Sequence, residues 1–170
     1  MFDTNLQGNI EYYLRISDNM TILPKEFIYF STVSVYGLEY GKNITEDFST
    51  EPSDPYGESK LLAEGAVVAW CKKNNIRFLV LRIPLVIGRN PPGNLKKMIE
   101  GIKIGRYVSL GSGKVRKSMV LVEDLAILVS KPISHSGIYN LTDDINPTFR
   151  EIENIIAKHF NRRIVSIPIF

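Results

Sequence analysis

The sequence predicts an α/β fold built on a parallel sheet, and three observations carry that prediction. Phe27–Phe30 and Arg77–Ile83 are short, nearly unbroken apolar runs, the pattern of strands covered on both faces. Asp54-Pro55 is a helix-start signal, a carboxylate cap followed by a proline whose missing N–H costs nothing at the first helical position. Strand, helix, strand in that order implies a right-handed parallel crossover.

Each element follows from its own residues. Leu6, Ile10, Tyr13 and Leu14 recur at helical spacing and predict an amphipathic helix over Asn5–Asp18, and Pro24 stops any continuation. The first strand ends in the hydroxyls Ser31 and Thr32 and closes at Tyr36-Gly37. Leu38–Ser53 is acidic and without period, so it predicts a long surface loop, and loops of that length are often functional. In the helix after Asp54, the residues Leu61, Leu62, Gly65, Ala66 and Ala69 are expected to form the stripe that meets the sheet, and Asn74-Asn75 ends it. Arg77–Ile83 is the next strand. Beyond Pro84 the chain changes character. Arg89–Gly93 reads as an irregular loop and Asn94 as the cap of a helix through Ile102. Tyr107–Leu110 and Val115–Val122 read as strands joined in a hairpin at Gly111-Ser112-Gly113. Glu123-Asp124 opens a short helix to Ser130, and Gly137–Leu141 is a strand. Thr148 caps a helix over Arg150–Phe160 with Glu151 completing a capping box, and Arg163–Ile167 is the last strand.

Composition narrows the function. The 170 residues are 44% hydrophobic, enough for one domain with a real core. The net charge is only +3 and the basic residues are scattered, with Lys96-Lys97 and Arg162-Arg163 no more than pairs, so no nucleic-acid footprint is present. Cys71, the single cysteine, cannot form an internal disulfide and is expected to be a structural thiol in a reducing compartment. No signal-like leader or spanning apolar run is visible, and a soluble, cytoplasmic protein without membrane partners is expected. His135 sits in a loop and His159 near a helix end, and no set of residues has metal-ligand spacing.

Thr32, Tyr56 and Lys60 carry chemistry. Tyr56 and Lys60 are four apart on the first turns of a helix, so they share a face with Cβ atoms ~5–6 Å apart. A free tyrosine, with a pKa of about 10, is a poor base at neutral pH, but a neighbouring ammonium favours the phenolate. Such a phenolate would take a proton from an alcohol. Thr32 would hold that hydroxyl in line. The ordinary reading of Tyr-x-x-x-Lys alone is a helix-start tyrosine beside a solvated lysine; the strand with a hydroxyl end before it favours the chemical one.

FIYFSTVSVYG, followed by SDPYGESKLLAE, resembles the extended short-chain dehydrogenases/reductases, specifically the NAD-dependent epimerase/dehydratase group that acts on nucleotide sugars. The likeness extends to LRIPLVIG at Leu81–Gly88, to Gly93-Asn94-Leu95, to SMVLVEDLA at Ser118–Ala126 and to IYNLT at Ile138–Thr142. It implies a partial Rossmann-like parallel sheet, of which only the later strands are present, plus a small α/β substrate-binding part. Residues 1–88 would be the half carrying Thr32, Tyr56 and Lys60, and residues 89–170 a substrate-binding region interleaved with the last sheet strands. It implies Thr32, Tyr56 and Lys60 as catalytic residues, with Ser31 and Pro84 joining Tyr56 and Lys60 in cofactor binding. Ser34, Asn94, Leu95, Arg116 and Lys117 would contact a nucleotide-diphosphate sugar, with NAD as cofactor and NADP left open. Dehydratases of the group carry an acid just after the catalytic threonine. Val33 and Ser34 stand there, which argues against a dehydratase and for an epimerase or a reductase; the leading expectation is a 4-epimerase working through a transient 4-keto sugar. A 4-ketoreductase and a nonenzymatic binding module are the alternatives. Leu85 stands where the group has an asparagine. The group's Gly-rich dinucleotide turn belongs to a βαβ unit of ~30 residues that this sequence lacks. Gly111-x-Gly113 and Gly113-Lys114 are no substitute. The expectation is an N-terminally truncated piece, inactive alone, whose open sheet edge invites pairing as a homodimer.

Overall fold

The computed structural model describes residues 20, 22–89, 91, 93–143 and 145–167. The helix expected over Asn5–Asp18 lies outside the described residues. The chain divides into two compact units, Met1–Pro84 with Ala126–Leu141, and Leu85–Leu125 with Thr142–Phe170.

The first unit is a parallel sheet of order β1-β2-β6. Strand β1 is Glu26–Thr32, β2 is Arg77–Ile83 and β6 is Gly137–Asn140. β1 pairs with β2 in the register Glu26 with Arg77 through Thr32 with Ile83. The segment expected as a polar strand end instead folds into a 3₁₀ turn, Val33–Tyr36, because the Thr32 side chain accepts the Ser34 N–H and Gly37 closes the turn at φ 64°. Gly37 is forced twice over: its positive φ favours glycine, and a Cβ there would lie 1.8 Å from the Glu51 carbonyl oxygen. Helix α1, Pro55–Lys73, returns the chain from β1 to β2; Asp54 caps it by accepting the Gly57 N–H. The core beneath it is Tyr29, Ala63, Val67, Cys71, Ile76, Phe78 and Val80. Phe27 and Trp70 meet edge to face at 5.5 Å beside it. The stripe expected from Leu61, Leu62, Gly65, Ala66 and Ala69 is wrong. α1 buries Gly57, Ser59, Ala63, Glu64, Val67 and Cys71 instead, and a Cβ at Gly65 would touch nothing within 4 Å. Apolar residues fall on every side of this helix, so their spacing alone does not choose a face. Cys71 is buried, and burial pushes its thiol up to about 11.

The second unit holds β3 (Leu85–Ile87) paired parallel with β5 (Met119–Leu121), and β4 (Val108–Leu110) paired parallel with β7 (Val165–Ile167). The expected hairpin at Gly111–Gly113 does not form, since β4 and β5 pair with different partners. The Gly111 N–H donates to the Ile167 carbonyl, continuing the β4–β7 ladder. The strand expected over Val115–Val122 is only three residues long, because Val122 already begins α3, Val122–Val129. Helix α2, Gly93–Lys103, starts one residue before Asn94, which therefore lies in its first turn and is not its cap. Helix α4, Phe149–His159, has the expected capping box of Thr148 and Glu151. Met98 and Ile102 of α2 pack with Ala157 of α4. Glu153 is buried between Tyr107 and Ser109, accepting from both hydroxyls at 2.8 and 2.7 Å. Burial, and then the hydrogen bond to Glu153, push the Tyr107 phenol up to about 12.

Candidate active site

The first unit gathers its chemical residues at the carboxyl end of β1. Neighbours on a strand point to opposite faces, and Ser31 and Thr32 do different work. The Ser31 hydroxyl donates to Glu64 of α1. Thr32 is 7% exposed; its hydroxyl donates to the Ser34 Oγ and accepts the Ser34 N–H, both at 3.2 Å. Tyr56 is 49% exposed on the first turn of α1. One turn later the Lys60 ammonium lies 6.0 Å from the Tyr56 ring centroid and 5.1 Å from that of Tyr29. It donates to the Phe30 carbonyl at 3.1 Å. Burial lowers the Lys60 pKa. Gly57 sets how closely this turn approaches β1's end: a Cβ there would stand 2.7 Å from the Ser34 carbonyl oxygen. Pro84 follows β2 and separates it from β3.

Behind this face lies a buried network that the sequence reading missed. Arg82 and Glu64, 5% and 3% exposed, form a two-pronged ion pair at 3.1 and 2.8 Å. Burial alone would lower the Arg82 pKa, but the hydrogen bonds and charge of Glu64, aided by Tyr36, raise it. Arg82 also donates to the Tyr36 hydroxyl at 2.9 Å, and that hydroxyl donates to Asn140 at 2.8 Å. Asn140 in turn holds the long loop, its backbone N–H donating to Glu46 at 2.7 Å and its side-chain amide to the Ile44 carbonyl at 3.0 Å. The signal was available: an arginine inside the apolar run Leu79–Ile83 must have a partner, because an unpaired buried charge is prohibitive.

The second unit places the other residues. Asn94 is exposed on the first turn of α2, and Leu95 is half-buried. Arg116 is exposed and donates to the Asn146 carbonyl at 2.7 Å. Lys117 is exposed, with its backbone N–H on the Pro147 carbonyl. Among the described residues no group of three or more His, Cys, Asp or Glu could hold a metal ion, and no helix is long and apolar enough to cross a membrane.

Residues 3–142 match the model of the NAD dependent epimerase/dehydratase family. The chain belongs to this family. Among its relatives is the N-acetyl-alpha-D-glucosaminyl-diphospho-ditrans,octacis-undecaprenol 4-epimerase of Escherichia coli O157:H7. The two are 24% identical over 98% of this chain and 51% of that protein. UDP-arabinose 4-epimerase 1 of Arabidopsis thaliana is 32% identical over 52% of this chain and 23% of that protein. The fold matches the UDP-glucuronic acid 4-epimerase of Bacillus cereus, solved with UDP-glucuronic acid and NAD. The TM-score is 0.77 at 21% identity, over 97% of this chain and 54% of that one. The UDP-glucose 4-epimerase of Thermotoga maritima, solved with UDP-glucose, gives 0.77 at 20% identity over 98% and 57%. The match thus spans about half the length of the E. coli relative and of the solved structures, and about a quarter of the Arabidopsis one.

Proposed function

We propose that these residues supply the proton-transfer and substrate-binding machinery of an NAD-dependent 4-epimerase of diphosphate-linked sugars. The observation that carries the reading is the placement of Tyr56 and Lys60 on one face of α1, with Thr32 at the end of the strand that α1 follows. The half-exposed phenol of Tyr56 is open to a substrate. Lys60 has three N–H donors and spends one on the Phe30 carbonyl, so two are left for ribose hydroxyls. These residues fit a nicotinamide nucleotide: Tyr56 and Lys60 would hold its ribose, beside Ser31 and Pro84, and NAD when bound supplies the hydride acceptor.

In this reading Tyr56 removes the proton from the sugar 4-hydroxyl, and the ammonium of Lys60 favours the phenolate that does so. Thr32 would exchange its bond to Ser34 for one to that hydroxyl, with Ser34 beside it. Once the 4-keto sugar presents its other face and C4 regains the hydride there, Tyr56 returns the proton to the C4 oxygen, which becomes the new 4-hydroxyl. Residues 1–88 would perform the chemistry and 89–170 would bind the substrate, with Arg116 and Lys117 meeting the diphosphate and Asn94 and Leu95 its flank. The carrier beyond the diphosphate is a nucleoside in the UDP-sugar relatives and an undecaprenyl chain in the E. coli one.

Turnover of a diphosphate-linked sugar by the enzyme tests the reading. Both C4 epimers should accumulate with no net consumption of cofactor. Product formed only with stoichiometric oxidation of reduced cofactor would make it a ketoreductase, and no sugar turnover at all would leave a binding module. The 170 residues contain no Gly-rich dinucleotide turn, so calorimetric titration of this chain with NAD should detect no micromolar binding. Micromolar affinity would overturn this expectation and show that the residues named above hold the dinucleotide without such a turn.

A further inference from the structure

The second unit contains a half-open cavity of about 250 Å³. Its walls include Leu85 and Ile87 of β3, Leu95 and Ile99 of α2, Met119 of β5 and Ile156 of α4. Every described lining residue is aliphatic, methionine, proline or glycine, and no side chain there donates or accepts a conventional hydrogen bond. A nucleobase brings a polar edge, and burying that edge without partners is unfavourable. A branched hydrocarbon brings none. A second groove shares Pro147 and Ile155 with this cavity and carries the Arg116 guanidinium. Arg116 uses one donor on the Asn146 carbonyl, and a guanidinium has five. Glu151, in the same groove, has its carboxylate engaged by the Thr148 N–H and hydroxyl. Lys114 and Lys117 flank Arg116 in sequence, and both are exposed. The groove's own lining carries one guanidinium and one carboxylate, and the exposed Lys114 and Lys117 on either side of Arg116 tip the charge of this stretch positive; beside an aliphatic cavity, that fits an amphiphile with an anionic head.

We propose that the second unit binds an isoprenoid diphosphate, with the diphosphate at Arg116 and the first isoprene units in the aliphatic cavity. The volume is just below the ~300 Å³ at which pockets for drug-sized ligands begin. It therefore takes the start of a chain, and the remainder leaves through the open side. The inference rests on the diphosphate-sugar reading and names its carrier as a hydrocarbon in place of a nucleoside.

Calorimetric titration of the 170-residue chain with farnesyl diphosphate, uridine diphosphate and inorganic diphosphate tests it. Farnesyl diphosphate should bind about tenfold or more tighter than either of the others. Leu85→Asn, at a site already 40% exposed, should abolish that advantage and leave inorganic diphosphate binding unchanged. Ile99→Gln serves as a second lining variant should Leu85→Asn fail to fold, and Arg116→Gln should weaken all three ligands. Uridine diphosphate binding as tightly as farnesyl diphosphate, or a farnesyl advantage that survives the lining variants, would overturn the proposal. An enzyme that turns over no diphosphate sugar would sink the epimerase reading and leave this order of affinities untouched.

Discussion

Tyr56, Lys60 and Glu64 follow one another at intervals of four along α1, so one ridge of one helix carries a phenol, an ammonium and a buried carboxylate. The first two were legible in the sequence because their relation is local, fixed by helix geometry alone. The third was not, because its partner Arg82 is eighteen residues away and reaches it only after β2 pairs with β1. The network sets where the ridge stands: Glu64 binds Ser31, the neighbour of Thr32, as well as Arg82. Removing one partner leaves the other charged and unpaired in the core, so Arg82→Met should cost about 3–5 kcal/mol of stability in denaturant unfolding. The double variant Glu64→Leu/Arg82→Met should recover much of that loss, since replacing a whole buried pair by apolar groups is often nearly neutral. A double variant as unstable as the two single losses added together would contradict this account of the pair.

Elements bring their own tests. The Gly57 contact predicts that Gly57→Ala displaces the first turn of α1 and lowers stability by about 1–3 kcal/mol. Denaturant unfolding measures this, and an unchanged midpoint would show that the turn has slack. The capping box of α4 predicts a loss of ~1 kcal/mol for Thr148→Ala. The same box is sensitive to acid. Hydrogen bonds from the Thr148 N–H and hydroxyl hold the Glu151 carboxyl below its ordinary value of 4.5. A carboxyl depressed in the folded state adds stability above its unfolded value, and that stability is lost as the pH falls through the folded value. The protection of the amides at the start of α4, with the intrinsic exchange rate divided out, should therefore fall below about pH 4.5, and Glu151→Gln should remove that fall. Caps and proline starts were readable because they involve neighbours in sequence. The buried face of α1 was not, because alanine, valine, leucine and glycine ring the helix and only the sheet decides which of them it covers.

At the scale of the whole molecule, parallel pairing is the part that sequence reading handled least evenly. β1 with β2 was predictable because a single helix joins them. β4 with β7 brings Val108 to Val165 across most of the second unit, and no nearby residue announces it. The two glycines at Gly111 and Gly113, both at positive φ, satisfy a hairpin in composition while serving a different path. Fold class, family and the Tyr-Lys ridge were thus legible, and the buried ion pair and the aliphatic cavity emerged only from long-range packing.

The central claim is that Tyr56 moves the proton of the sugar hydroxyl. The most direct measurement is the rate of C4 epimerisation by the enzyme carrying Tyr56→Phe, alongside its unfolding midpoint. A fall in kcat of about 10²–10⁴-fold with an unchanged midpoint is the predicted result; turnover at the unsubstituted rate would contradict it.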